Sequence, residues 1–267
     1  MRAFLNDNRL TIRALRGTLL LGTALFVSGA FATAPAQHPS GKQAAKPPAG
    51  SKVSGKTAAA HKKLAAPVGP GPLADFGKVT PTPDVAQVAN WISYTYNSGK
   101  RPFFVIDKKA AELYVFDGRG KLKGYSPVLL GKAVGDTSAP GVGDKRLSQL
   151  KESEMTTPAG RFFALRGKDT RGANVIWIDY KAAVSMHKVV TVGNEHRIER
   201  LASADPGDNR ISNGCVNVPP RFFDSVLQPI VNTTGAYIYV LPETTTPQRL
   251  FGSYDVRNGK SVAVAKK

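Results

Sequence analysis

Among the side chains able to act as a nucleophile, one stands apart by number and by setting. Cys215 is the only cysteine in 267 residues and lies in Ile211-Ser212-Asn213-Gly214-Cys215-Val216-Asn217-Val218. A lone thiol cannot close an intrachain disulfide, and outside a reducing compartment it is a liability unless buried, paired between chains or used. The reactive form is the thiolate, which needs a neighbouring base or positive charge to exist near neutral pH. Gly214 frees the backbone just before the sulfur, Ser212 and Asn213 supply polar groups, and Pro219 and Pro220 open an apolar helical pattern. This pattern predicts a nucleophile on a tight turn at the mouth of a helix. The N–H groups of Gly214 and Cys215 would then stabilise a developing oxyanion, and the helix dipole would favour the thiolate. The plainer alternative is a buried structural thiol, the commoner fate of an isolated cysteine. The polar, glycine-containing turn weighs against it.

A base has few sources. Of four histidines, His38 and His61 lie far upstream, which leaves His187 and His196. His187 ends the alternating run Ala182-Ala183-Val184-Ser185-Met186-His187, where a strand can hold a ring in place. His196 sits in the charged stretch Asn194-Glu195-His196-Arg197, the setting of a solvated loop residue. Two histidines without a cysteine pair or an acid cluster form no zinc pattern, so neither metal nor cofactor is expected.

The elements that must position these residues read mostly as strands. Thr82 can cap a helix that Pro83 begins, with Val85, Val88, Ala89, Ile92 and Tyr96 on one face and Gly99 as the stop, which predicts a helix over 83–98. The period then changes to two. Strands are expected at 103–106, 112–116, from 121 toward 130, 162–165, 174–180, 182–189 and 236–241, with Asp117-Gly118 as a hairpin turn. Residues 131–156 and 190–210 read as loops, and Phe222, Phe223, Val226 and Leu227 mark a helix after the cysteine. Many strands and few helices predict a mainly-β sandwich or barrel with a few peripheral helices.

The ends differ from the middle. Arg2, Arg9, Arg13 and Arg16 against Asp7, an apolar run from Thr18 to Phe31, and Ala30-Phe31-Ala32-Thr33-Ala34 have the form of a secretory signal. The apolar run falls short of the roughly 20 residues that span a bilayer comfortably, which favours cleavage over anchoring. Residues 35–80 are rich in Ala, Pro and Lys and read as a disordered basic tether, 81–243 as the catalytic domain, and 244–267 as a polar tail in which Leu250, Phe251 and Tyr254 can dock. The net charge of +18 draws the chain to polyanions. Export turns that from nucleic acid, which is not expected as a partner, to anionic wall polymers or a membrane surface touched by the tether.

The residues around Cys215 resemble the catalytic domain of the L,D-transpeptidases (YkuD type). That family carries a strand-borne histidine, a loop, and then Ser/Thr-His-Gly-Cys-hydrophobic-Asn/Arg. Ser212, Gly214, Cys215, Val216 and Asn217 match, Thr157-Pro158-Ala159-Gly160-Arg161-Phe162 resembles the family's T-P-x-G-x-F segment, and Glu112-Leu113-Tyr114-Val115-Phe116 its early hairpin. Asn213 stands where many members have histidine. The distance from His187 to Ser212 exceeds the family's usual one, whereas His196 falls at the usual distance; the apolar strand ending in His187 nevertheless favours it as the general base. The resemblance implies that Cys215 attacks the amide after the third residue of a peptidoglycan tetrapeptide stem. D-Alanine leaves, a thioester forms, and the amine of a second stem resolves it as a 3→3 cross-link. The Gly214 amide would hold the oxyanion, and Ser212, Asn213 and Asn217 would line the substrate site. A hydrolase resolving the thioester with water, or a non-enzymatic wall-binding protein on the same scaffold, are the alternatives.

Overall fold

The computed structural model describes residues 70–257. The signal expected over 1–34 and the tether as far as residue 69 lie outside the described residues.

Helix α1 (Pro83–Thr95) starts as its capping residues dictate: the Thr82 hydroxyl accepts from the Val85 N–H at 3.3 Å, and Pro83 takes the first turn. It stops at Thr95 rather than running to 98. Tyr96 takes a left-handed conformation (φ 53°), and its N–H folds back onto the carbonyls of Ile92 and Ser93. The Asn97 side-chain carbonyl accepts from the Tyr239 hydroxyl at 2.6 Å, so a tertiary contact holds the segment just past the helix end.

An eight-stranded sheet follows, in the order β3-β2-β1-β10-β5-β6-β7-β9. Its strands are β1 (Phe103–Asp107), β2 (Glu112–Phe116), β3 (Leu122–Pro127), β5 (Gly160–Lys168), β6 (Asn174–Asp179), β7 (Val184–Lys188), β9 (Val216–Val218) and β10 (Ala236–Val240). A parallel pair, β4 (Leu130–Gly131) with β8 (Arg210–Ser212), stands beside it. Leu129, two residues beyond β3, bridges Asn217 of β9, so the chain passes from one edge strand to the other within a few residues. The sheet must therefore curl until its edges approach, which gives the mainly-β, barrel-like architecture.

Alternation sends each strand's side chains to two faces. One face carries Phe104, Ile106, Leu113, Val115, Ile176, Met186, Val216, Val218 and Ile238, all buried, and packs on Phe223, Leu227 and Val231. Those three belong to a continuous helical segment: α3 (Pro220–Phe222), a π-helical stretch (Phe223–Leu227) and α4 (Gln228–Thr234). Pro229 has no N–H to donate to the preceding turn, and the helix widens just before it. The other face is covered over β1, β2 and β10, where Phe103, Val105, Tyr114, Phe116 and Tyr239 meet Val85, Val88, Ala89 and Ile92 of α1. Over β5, β6 and β7 the same face is not covered by α1, and Phe163 (40% exposed) and Leu165 (52%) reach solvent there.

Three boundaries differ from the sequence reading. Residues 70–80 are part of the fold, since Asp75 bridges Lys121 and Ala74, Phe76 and Val79 pack against the α1 cluster. The tail contains α5 (Pro247–Phe251), and Phe251, Tyr254 and Val256 dock on that cluster. The segment 190–210 is not all loop: α2 (Arg197–Leu201) packs Leu201 with Leu129, Val189 and Ile211.

Candidate active site

Cys215 does not stand at a helix mouth. It sits between β8 and β9, and α3 begins only at Pro220, after three residues of strand. Helix-dipole effects fade within the first turn, so the expected help from that dipole is absent. The missed strand has a clear cause: Val216 and Val218 point into the core while Asn217 points to the opposite face, an alternation hidden by the prolines that follow.

The register then builds the site. Strands β7 and β9 run parallel with His187 opposite Asn217. Ser185 and His187, two apart on β7, share the face not covered by α1, and the turn brings the thiol to the same place. The Ser185 hydroxyl lies 3.7 Å from the Cys215 sulfur, and the Ala183 carbonyl lies 3.8 Å from it as an acceptor for the S–H. Burial pushes the Cys215 thiol pKa up, but a hydrogen bond and charge from His187, with hydrogen bonds from the N–H and hydroxyl of Ser185, outweigh it, so the net shift is downward. For His187 burial lowers the pKa, while the hydrogen bond and charge of Cys215 and the Lys188 carbonyl raise it; Arg197 opposes them, and the net shift is upward. The two shifts are complementary: each group favours the charged form of the other. His187 Nδ1 donates to the Lys188 carbonyl at 2.8 Å, which leaves Nε2 as the nitrogen for proton exchange.

His196 shares none of these contacts. It is exposed, caps α2 in a left-handed conformation (φ 48°), and offers no side-chain hydrogen bond to the helix.

The turn itself is braced from within. The Ser212 hydroxyl donates to the Cys215 carbonyl at 2.6 Å and accepts from the Gly214 N–H at 3.1 Å. That bond occupies the Gly214 N–H, so the oxyanion role expected of it falls away in this geometry. Gly214 instead serves conformation: its φ is 119°, and a Cβ there would stand 3.0 Å from the Thr156 carbonyl. Ser212 (2% exposed) and Asn217 (0%) are internal, not open to a substrate as the sequence suggested, and Asn213 alone of the three is exposed.

Two supports had no signal near the cysteine. Thr157 donates through Oγ1 to the Gly214 carbonyl at 2.8 Å and accepts from the Gly131 N–H at 2.9 Å. Lys108, with a fully buried side chain, donates to the Thr157 carbonyl at 3.0 Å and to Asp136 at 2.9 Å, and stands 3.3 Å from Glu243. The early β1 end, the TPAG segment and the segment after β10 are thus tied beneath the cysteine turn. Ser185 was within reach of sequence reasoning, because it lies two residues before His187 on one alternating strand. Among the described residues no group of three or more His, Cys, Asp or Glu side chains gathers as a metal site, and no helix is long and apolar enough to cross a membrane.

No family model matches the chain, and no curated protein matches it. Among solved structures it is similar to the catalytic domain of an E. faecium L,D-transpeptidase, at 16% identity over 53% of this chain and 98% of that one, with a TM-score of 0.30. It is similar to an L,D-transpeptidase (Yku) of Stackebrandtia nassauensis at 17% identity, covering 61% of this chain and 66% of that one, with a TM-score of 0.33. The Mycobacterium tuberculosis L,D-transpeptidase 1 matches at 17% identity over 52% of this chain and 61% of that one, with a TM-score of 0.30. The chain therefore spans nearly all of the isolated enterococcal domain but less than two thirds of the mycobacterial chain. The domains it resembles in these comparisons are those of L,D-transpeptidases.

Proposed function

We propose that this chain is an exported cysteine acyltransferase of the L,D-transpeptidase type. One observation carries the reading: the only thiol in the chain stands beside Ser185 of β7, and His187, two residues along on the same face of that strand, holds the thiol's pKa down while its own Nδ1 is fixed on a backbone carbonyl. That arrangement suits nucleophilic catalysis and has no evident use in a structural cysteine.

In the proposed reaction the Cys215 thiolate attacks the carbonyl of the third residue of a peptidoglycan tetrapeptide stem. The C–N bond to D-alanine breaks, His187 Nε2–H supplies the proton that the departing amine takes up, and a thioester remains. An incoming amine gives its proton back to His187, forms the new amide and frees the thiol. Asn213, exposed at the surface of the turn, would meet the substrate. Export rests on the charge and apolar pattern of residues 1–34, and the basic tether would keep the enzyme near anionic wall polymers or a membrane surface.

The test is intact-protein mass spectrometry with a tetrapeptide stem. A covalent adduct equal in mass to the acyl tripeptide is expected, and it should vanish in Cys215→Ala. Adding a second stem should yield cross-linked dimers. Free tripeptide as the main product would assign hydrolysis instead, and no adduct under any condition would end the enzymatic reading.

A further inference from the structure

The segment between His187 and Ser212 does more than space the two halves of the site. Within it, α2 turns Arg197 inward until its side chain is only 9% exposed. Arg197 Nη1 donates to Asn217 Oδ1 at 2.9 Å, and its Nε donates to Glu195 at 2.6 Å. The Asn217 Nδ2 group in turn stands 3.3 Å from His187 Nε2.

We propose that Arg197 is a positioning residue for the Cys215–His187 pair, acting through the side-chain amide of Asn217. A guanidinium only donates, so Oδ1 of Asn217 must be the atom facing Arg197, and Nδ2 must face the ring. Nδ2 also only donates, so the Nε2 it meets is the lone-pair nitrogen of a neutral imidazole. With Nδ1–H on the Lys188 carbonyl, both ring nitrogens have assigned roles, and Nε2 is held as the acceptor for the thiol proton. When that proton arrives, Nε2–H confronts an amide N–H that Arg197 prevents from turning over. The relay therefore opposes the imidazolium that the thiolate favours, and it keeps His187 able to take protons from an incoming amine.

The charged groups facing the ring are Cys215 from the turn and Arg197 from α2, with Glu195 one contact beyond Arg197. The Lys188 ammonium lies on the opposite face of the sheet, held by Asp224 at 3.1 Å. Glu195 and Arg197 should then act on His187 with opposite sign, which no general loosening of the site would reproduce.

The proposal builds on the catalytic reading of Cys215, but its test involves no substrate. The His187 ring is titrated by NMR in the full chain carrying Cys215→Ala, so that one group titrates alone. Arg197→Met removes the charge and lets the Asn217 amide turn over to accept from Nε2–H; the His187 titration should move up by about half a unit to one unit. Glu195→Gln leaves the guanidinium uncompensated and should move it down by a few tenths. Arg197→Lys keeps a charged donor and should lie near the parent. Shifts in the same direction for Met and Gln, or an Arg197→Met titration within about 0.2 units of the parent, would overturn the relay. If Arg197→Met does not fold, the downward shift in Glu195→Gln, at a side chain 29% exposed, decides alone. Failure to form an acyl-enzyme would sink the catalytic reading and leave this result untouched.

Discussion

Replacing Thr157 by valine isolates the support beneath the cysteine turn. Thr157 is 0% exposed, and its hydroxyl serves two backbone groups at once: it donates to the Gly214 carbonyl at 2.8 Å and accepts from the Gly131 N–H at 2.9 Å. Valine keeps the branched shape and removes both bonds. Each buried backbone group left without a partner costs about 1–3 kcal/mol, so the pair predicts a loss of about 2–6 kcal/mol. That is a large part of the roughly 5–15 kcal/mol that holds a typical domain together. Thr157→Ser is the matched control. It keeps the hydroxyl and loses a methyl, worth about 1 kcal/mol in buried area. Urea denaturation resolves the two: with a slope near 2 kcal/mol/M, the valine variant should lose about 1–3 M in midpoint and the serine variant about 0.5 M. Alkylation of Cys215 by iodoacetamide should slow in the valine variant alone, because the carbonyl that fixes the turn is then free to move. A valine variant as stable as the serine variant would refute the claim that these two hydrogen bonds hold the turn.

Two further outcomes follow from the electrostatics. Because His187 holds the Cys215 thiol below its ordinary value against the upward push of burial, iodoacetamide alkylation should persist below pH 8.5, with its acid limb beneath the usual thiol range. His187→Ala leaves burial opposed only by the Ser185 hydrogen bonds and should move that limb up, whereas His196→Ala should leave it in place; the reverse pattern would reassign the base. Lys108→Met should cost about 3–5 kcal/mol in the same denaturation experiment, since it leaves the Asp136 carboxylate, 13% exposed, without its cation, while Glu243 keeps Arg210. A loss under about 1 kcal/mol would show that the Asp136 carboxylate finds other partners.

What could be read from the sequence divides along the range of the interactions. The strands through Phe104, Val115, Ile176, Met186 and Ile238 were legible, because period-two alternation is local and the core enforces it. The end of α1 was not: Gly99 is the nearest stop signal, but Tyr96 already turns left-handed, and the residue held beyond it, Asn97, meets Tyr239 across 142 positions. Strand β9 was masked because three residues are too few to show a period. Helix α2 was lost among charges that read as solvated, although Arg197 and Arg200 both turn back, one onto Asn217 and the other onto the Asp208 carbonyl at 2.9 Å. Lys108 gave no hint of burial at all, since its partners Asp136 and Glu243 lie 28 and more than 100 positions away.

The two histidines show why spacing along the chain is a weak guide here. His196 stands nearer to Ser212 in sequence, yet the distance that matters is across the sheet. After Lys188 the chain stays with β9 for one more bond, Val189 N–H to the Val218 carbonyl at 2.8 Å, and then leaves the sheet. It returns as β8, which pairs with β4 and not with β7. Whatever lies in that excursion can lengthen or shorten without moving His187, because the register opposite Asn217 is set by Met186 and Val216 packing in the core on the other face. A one-residue slip of β7 would turn those core side chains outward and the histidine inward, so the buried apolar face fixes where His187 stands against the cysteine turn. The sequence length of the excursion is then free to be spent on α2, and the residue that α2 contributes reaches the histidine only through the asparagine that the register has already placed opposite it.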